Sequence, residues 1–194
     1  MYKLKIIIAS TRPGRKGPSI ADWVYKTVIA RPEFDTELID LVAVNLPFLD
    51  EPHHPRLKKY EKQHTKDWSA RIDAADAFII VTPEYNFGFN APLKNAFDFL
   101  FHEWHYKPVG FVSYGGISGG IRSVQMLKQV VTALKMMPLM EAVNIPFFSK
   151  HLNTEGIFIP DDVLHKSLET MLHELVKWSE ALQTIRIKHK QIAY

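Results

Sequence analysis

The sequence predicts a doubly wound α/β domain, in which a five-stranded parallel sheet carries helices on both faces. Three observations predict it. Short β-branched runs without polar alternation recur five times, as strands buried on both faces do. A stretch of helical periodicity follows each run. The passages between strand and helix are rich in Gly, Pro, Ser and Asn, which mark turns.

The elements follow in order. Lys3 to Ala9, "KLKIIIA", reads as the first strand. Ile20, Val24 and Val28 repeat at helical spacing. Thr36 to Leu41 reads as a second strand, and Trp68, Ile72 and Ala75 mark the next helix. Ala77 to Val81 is the third strand. Leu93, Ala96, Phe97, Leu100, Phe101 and Trp104 form one helical stripe. The stripe places Phe97 and Phe101 in the core. Phe99 lies off it, which points to exposure or a subunit contact. Pro108 to Tyr114 is a fourth strand and Leu139 to Ile145 a fifth, with a helix over Ile121 to Leu134 between them. A last helix runs from Leu164 to Leu182, and residues 186–194 read as a basic solvated tail. Right-handed crossovers leave few arrangements. With five strands the leading one is the flavodoxin-like order 2-1-3-4-5 in a single domain over residues 1–194.

Composition narrows the function. The chain has 194 residues, enough for one full-sized core. No apolar run approaches the about 20 residues that span a bilayer, and "MYKLKIIIAS" is too short for a signal peptide. A cytoplasmic protein is the expectation. There is no cysteine, so disulfides, thiol nucleophiles and Cys-ligated metals are excluded, and redox chemistry requires a bound cofactor. A net charge of +3 mildly favours anionic ligands and is too weak to argue for nucleic acid.

In sheets of this kind ligands lie at the carboxyl ends of the strands, so the turns after strands one, three and four carry the functional reading. The first, "ASTRPGRKGPSIADW", offers the hydroxyls of Ser10 and Thr11 and the forked cation of Arg12. Ser19 reads as the helix N-cap, with Asp22 completing a capping box. Backbone N–H groups and the helix dipole then favour a phosphate, although neither G-x-x-x-x-G-K-[ST] nor G-x-G-x-x-G is present. The second turn, "TPEYNFGFNAPLKNAFDF", places Pro83, Glu84, Tyr85 and Asn86 at the sheet edge, and Gly88 and Asn90 loosen its return. Backbone amides with nearby rings suit a flat heteroaromatic ligand. The third, "SYGGISGGIRS", brings Ser113, Tyr114, Gly115 and Gly116 to the same edge, with Ser118 as the cap of the next helix. Glycines there let main-chain N–H groups approach a ligand closely. A phosphate tail joined to a flat electron-accepting ring describes flavin mononucleotide.

The residues "STRPGR" with Ser19, "LPFLDEP", "PEYNFGFNAPLKNAFD" and "SYGGISGG" resemble the NADPH-dependent FMN reductase family. The likeness runs from the first strand to about Pro146. Ala9 stands where the family's first loop often has glycine. The resemblance implies that Ser10, Arg12 and Ser19 hold the phosphate of FMN. It implies that Pro83, Glu84, Tyr85 and Asn86 contact the isoalloxazine, and that Ser113, Tyr114, Gly115 and Gly116 border its other side. Asp50, in "LPFLDEPHHP", is a looser candidate. The implied activity is hydride transfer from NADPH or NADH through FMN to quinone-, azo- or flavin-type acceptors, or to metal oxyanions. The implied assembly is a homodimer or a dimer of dimers. The flavin carries the chemistry, so no catalytic side chain and no metal ligand is assigned. "HEWH", His102 to His105, lacks the H-E-x-x-H spacing of a zinc site. His53 and His54 have no third ligand nearby in the sequence, and no nucleophile elbow is present. Two other readings stay open: an FMN-binding redox-sensing regulatory partner with little turnover, and an anion-binding hydrolase.

Overall fold

The computed structural model describes the backbone of residues 1–192 and the side chains of residues 1–187. Five parallel strands, β1 (Tyr2–Ile8), β2 (Phe34–Asp40), β3 (Ala77–Pro83), β4 (Pro108–Tyr114) and β5 (Met137–Ile145), pair in the order β2-β1-β3-β4-β5. That is the predicted order. β3 and β4 are buried at every residue, which is why their sequences show no alternation.

The helices are α1 (Gly17–Ile29), α2 (Leu41–Val44), α3 (Gln63–Asp73), α4 (Ala91–Asp98), α5 (Ile121–Ala133) and α6 (Asp162–Ile192). One core cluster joins the sheet to α1 and α6 through Ile20, Val24, Leu168 and Met171. The other joins it to α3, α4 and α5 through Trp68, Phe97 and Leu127. Gly110 in β4 has a packing reason, since a β-carbon there would stand 2.7 Å from Met171 Sδ. α6 therefore lies directly on the strand backbone.

Three expectations are corrected here. The stripe from Leu93 to Trp104 is not one helix: α4 stops at Asp98 and a separate 3₁₀ turn covers His102–Trp104. The bend turns Glu103 inward, where it is fully buried. Its carboxylate accepts from Ser69 Oγ at 2.6 Å, Tyr60 Oη at 3.0 Å and Phe101 N at 3.3 Å. The "HEWH" segment is thus a structural pin, and no cluster fit for a metal exists among the described residues. Phe99 is fully buried, its ring edge-on to His64. The stripe ceases to predict exposure once the helix has ended. Lastly, the tail expected from residue 186 continues α6 as far as Ile192. Arg186 is buried and donates to Asp76 Oδ1 at 2.8 Å. Ala193 and Tyr194 lie outside the described residues.

Candidate FMN site

The first turn leaves β1 through Ala9 and Ser10 and doubles back at Arg12–Arg15. Arg15 N donates to Arg12 O at 3.1 Å across Pro13 and Gly14. Gly14 takes φ 72°, which the third position of a type II turn requires. The turn sends its two arginines different ways. Arg12 points to solvent and makes no ion pair among the described residues. Arg15 folds inward, donating to Asp40 Oδ1 at 2.6 Å, Asp40 Oδ2 at 2.5 Å and Ser10 O at 2.7 Å. The hydrogen bonds from Arg15 hold the Asp40 carboxyl below the usual carboxylate range against the opposing effect of burial.

The N-cap of α1 is Lys16, without a side-chain capping bond, so the capping box expected of Ser19 and Asp22 does not form. Ser19 is the third residue of the helix. Its Oγ accepts from Phe158 N at 2.7 Å, on a separate cleft shared with Trp23 and His165. Ser10 is fully buried where the turn leaves the sheet. Its Oγ is buried and makes no well-directed hydrogen bond, with the Tyr114 hydroxyl as its polar neighbour. A β-carbon on Gly17 would stand 2.3 Å from Ser10 Oγ and 2.8 Å from Tyr114 Oη, so the start of α1 packs directly on these two hydroxyls and only glycine fits there.

The second turn is a tight hairpin. Tyr85 and Gly88 exchange both backbone hydrogen bonds at 2.9 Å. Asn86 (φ 49°) and Phe87 (φ 70°) are both left-handed, as in a type I′ turn. Asn90 does not loosen the return. It stitches it to the first turn, donating through Nδ2 to Ala9 O at 2.5 Å. The Glu84 side chain faces away from the hairpin toward α5. Its carboxylate accepts from Ser118 Oγ at 2.8 Å, Arg122 Nε at 2.6 Å, Arg122 Nη2 at 2.5 Å and Arg122 N at 3.2 Å. Burial would raise this carboxyl, but the hydrogen bonds from Arg122 and Ser118 hold it low. The Arg122 guanidinium also stacks on Phe87, 3.8 Å from the ring centre.

In the third turn Ser113 is buried, donating from Oγ to Gly119 O at 2.8 Å and bonding Asn144 Oδ1 at 2.9 Å. It shapes the loop from beneath. The N-cap of α5 is Gly120 in the left-handed region, not Ser118. Tyr114 is buried and its hydroxyl is pushed up to about 12, chiefly by burial. Gly115 O and Gly116 O accept from Phe148 N at 3.2 Å and Phe147 N at 2.9 Å, so the segment after β5 closes the wall. Asp50 is engaged elsewhere, 2.9 Å from His64 Nε2.

The three turns meet. One cleft, with a cavity volume of about 80 Å³, is lined by Arg12, Arg15 and Lys16 from the first turn, by Pro83, Glu84 and Tyr85 from the second, and by Tyr114 and Gly115 from the third. Phe148 completes it. Ser10 lies behind the cleft, and Asn86 and Gly116 are exposed nearby in sequence to its lining. Sequence reasoning missed Arg15, Lys16 and Phe148. The "RPGRK" cluster was a visible signal for the first two, while Phe148 carried none.

The pattern of the family described as NADPH-dependent FMN reductase matches residues 2–150. The chain belongs to this family. Among curated members of the FMN reductase family, the NAD(P)H-dependent FMN reductase of Schizosaccharomyces pombe is 44% identical over 148 residues, 74% of each chain. That of Saccharomyces cerevisiae is 36% identical over 145 residues, 69% of this chain and 75% of the relative. The NADPH:quinone oxidoreductase of Arabidopsis thaliana is 32% identical over 123 residues, 58% of this chain and 60% of the relative. Among solved structures, the flavoenzyme NAD(P)H:(acceptor) oxidoreductase of Paracoccus denitrificans superposes with a TM-score of 0.72 at 20% identity. It covers 93% of this chain and 98% of its own, a likeness of fold.

Proposed function

We propose that this FMN-dependent NAD(P)H oxidoreductase holds FMN in the cleft where the three turns converge and delivers electrons to quinone-, azo- or flavin-type acceptors. The single observation that carries the site is the convergence of the three turns on one cleft, with the buried Ser10 Oγ, which makes no well-directed hydrogen bond, behind it. A buried hydroxyl left unpaired costs about 1–3 kcal/mol, and a phosphate oxygen would relieve it. Arg12 and Lys16 supply charge at the same mouth, and the start of α1 supplies unpaired N–H groups.

The chain's own residues then have separable tasks. Arg12, Lys16 and Ser10 bind the phosphate. Pro83, the Glu84 backbone, Tyr85 and Asn86 border one side of the ring system, and Tyr114, Gly115 and Gly116 the other. Ser19 and Ser113 are left out of direct contact, because their hydroxyls are engaged by Phe158 N and by Gly119 O. Bound FMN supplies the hydride chemistry between NAD(P)H and the acceptor. Tyr114 stays protonated at neutral pH, which makes it a wall and a hydrogen-bond donor. The comparisons favour turnover over the regulatory alternative. A homodimer or dimer of dimers in the cytoplasm completes the reading. Among the described residues no helix is long and apolar enough to cross a membrane.

The test is an absorption spectrum of the purified protein, then NADPH addition without oxygen. A flavin band that bleaches supports the reading. A colourless protein that gains no flavin spectrum when FMN is added overturns it.

A further inference from the structure

Two arginines of the first turn line the cleft beside Lys16, and their surroundings assign them different work. Arg12 is exposed. Arg15 is mostly covered, with 18% of its side chain exposed, and its fork is fully engaged on one side. Nη1 bridges Asp40 Oδ1 and the Ser10 carbonyl, while Nη2 meets Asp40 Oδ2. Asp40 ends β2, beside Ile8 in the parallel register. It also caps α2 by accepting from Val42 N at 3.0 Å. The pair therefore straps the first turn to the end of the neighbouring strand, two residues from where β1 stops.

We propose that Arg15 is a positioning residue for FMN and not a phosphate ligand: clamped by Asp40, it holds the Ser10 carbonyl and the Arg12–Arg15 turn so that Ser10 Oγ and the first amides of α1 keep their aim. This rests on the FMN site assigned above. Its geometric basis is that a bidentate guanidinium–carboxylate pair is fixed in orientation as well as charge. With Arg15 neutralised by its partner, the charge that meets the phosphate comes from Arg12 and Lys16.

The two roles predict effects of opposite sign at Asp40. If Arg15 were a ligand restrained by Asp40, Asp40→Asn would remove a nearby negative charge, release the guanidinium, and tighten FMN binding. If Arg15 positions the turn, the same change weakens binding. Asparagine still caps α2, so the substitution isolates the clamp. The experiment titrates apoprotein with FMN, and in parallel with riboflavin, by quenching of flavin fluorescence at one ionic strength. For Asp40→Asn we expect FMN affinity to fall about ten-fold, as loss of charged hydrogen bonds implies, with riboflavin affinity unchanged. FMN affinity that is unchanged or higher overturns the proposal. Arg15→Lys gives a second test should Asp40→Asn fold poorly. Lysine keeps the charge and cannot bridge Asp40 and the Ser10 carbonyl with a fork, so a comparable loss supports positioning, and full retention overturns it. Wild-type protein that binds no FMN would sink the site itself, a result distinct from either variant outcome.

Discussion

Ser10 and Gly17 face one another across the first turn so closely that a β-carbon on residue 17 would stand 2.3 Å from Ser10 Oγ. No side chain fits there without displacing the hydroxyl or the Tyr114 ring, and both belong to the well-packed end of the sheet. Gly17→Ala is expected to displace the Ser10 and Tyr114 hydroxyls, abolish measurable FMN binding and cost about 1–3 kcal/mol. Flavin titration and urea denaturation of the variant check both effects.

Ser10→Ala separates fold from function at the same spot. The hydroxyl makes no well-directed hydrogen bond within the chain, so its loss changes stability by no more than about 1 kcal/mol. FMN affinity falls by about ten-fold. A drop in stability without a change in FMN binding would assign Ser10 to the fold instead.

Arg12→Ala is expected to weaken FMN about ten-fold and leave the unfolding midpoint where it was, since Arg12 is exposed and makes no ion pair among the described residues. Unchanged affinity would remove Arg12 from the phosphate site.

The second turn sets two effects against each other. Phe87 occupies the left-handed region, which costs an ordinary residue about 1–2 kcal/mol. Its stack with Arg122 returns about 0.5–1 kcal/mol at an exposed site. Strain wins, so Phe87→Gly, which creates the Asn-Gly pair favoured in type I′ turns, should raise the melting temperature. A lower melting temperature would show that the ring carries packing that its 65% exposure does not reveal.

Glu84 makes stability depend on pH. Its carboxyl titrates lower in the fold than in the unfolded chain, because the hydrogen bonds from Arg122 and Ser118 outweigh burial. The stabilisation is present above the unfolded value of about 4.3 and is lost as pH falls through the lower folded value. Arg122 is 40% exposed, so the pair contributes about 1–2 kcal/mol. Glu84→Gln should be destabilised by that amount at pH 7 in urea, and its gap from wild type should shrink below pH 4.

The strands, their order and the meeting of three turns at one edge were legible because burial leaves a periodic trace in the chain. β4 was read to the residue, and β3 was read two residues short, since Thr82 and Pro83 look like turn material yet pair with Ser113 and Tyr114. Partners of polar groups leave no such trace. Ser19 has the spacing of a cap, but the helix begins two residues before it, and the Phe158 amide claims its hydroxyl across 139 positions. Arg15 and Asp40 meet only because β1 and β2 are neighbours in the sheet. Phe148 enters the cleft because its amide bonds Gly115 O, a contact set by where β5 ends. Phe99 was misread since a helical wheel says nothing past the helix's last turn.

The bonds that Ser118 and Arg122 donate to Glu84 tie the residue entering the hairpin to the start of α5. Neither half can swing outward alone without stripping a carboxylate of its donors. Phe148 and the segment beyond β5 reach the cleft through main-chain bonds to Gly115 and Gly116 instead. A broader range of admitted molecules is therefore sought by substitution on that side, where the hold is two main-chain hydrogen bonds rather than an ion pair of the Glu84–Arg122 kind.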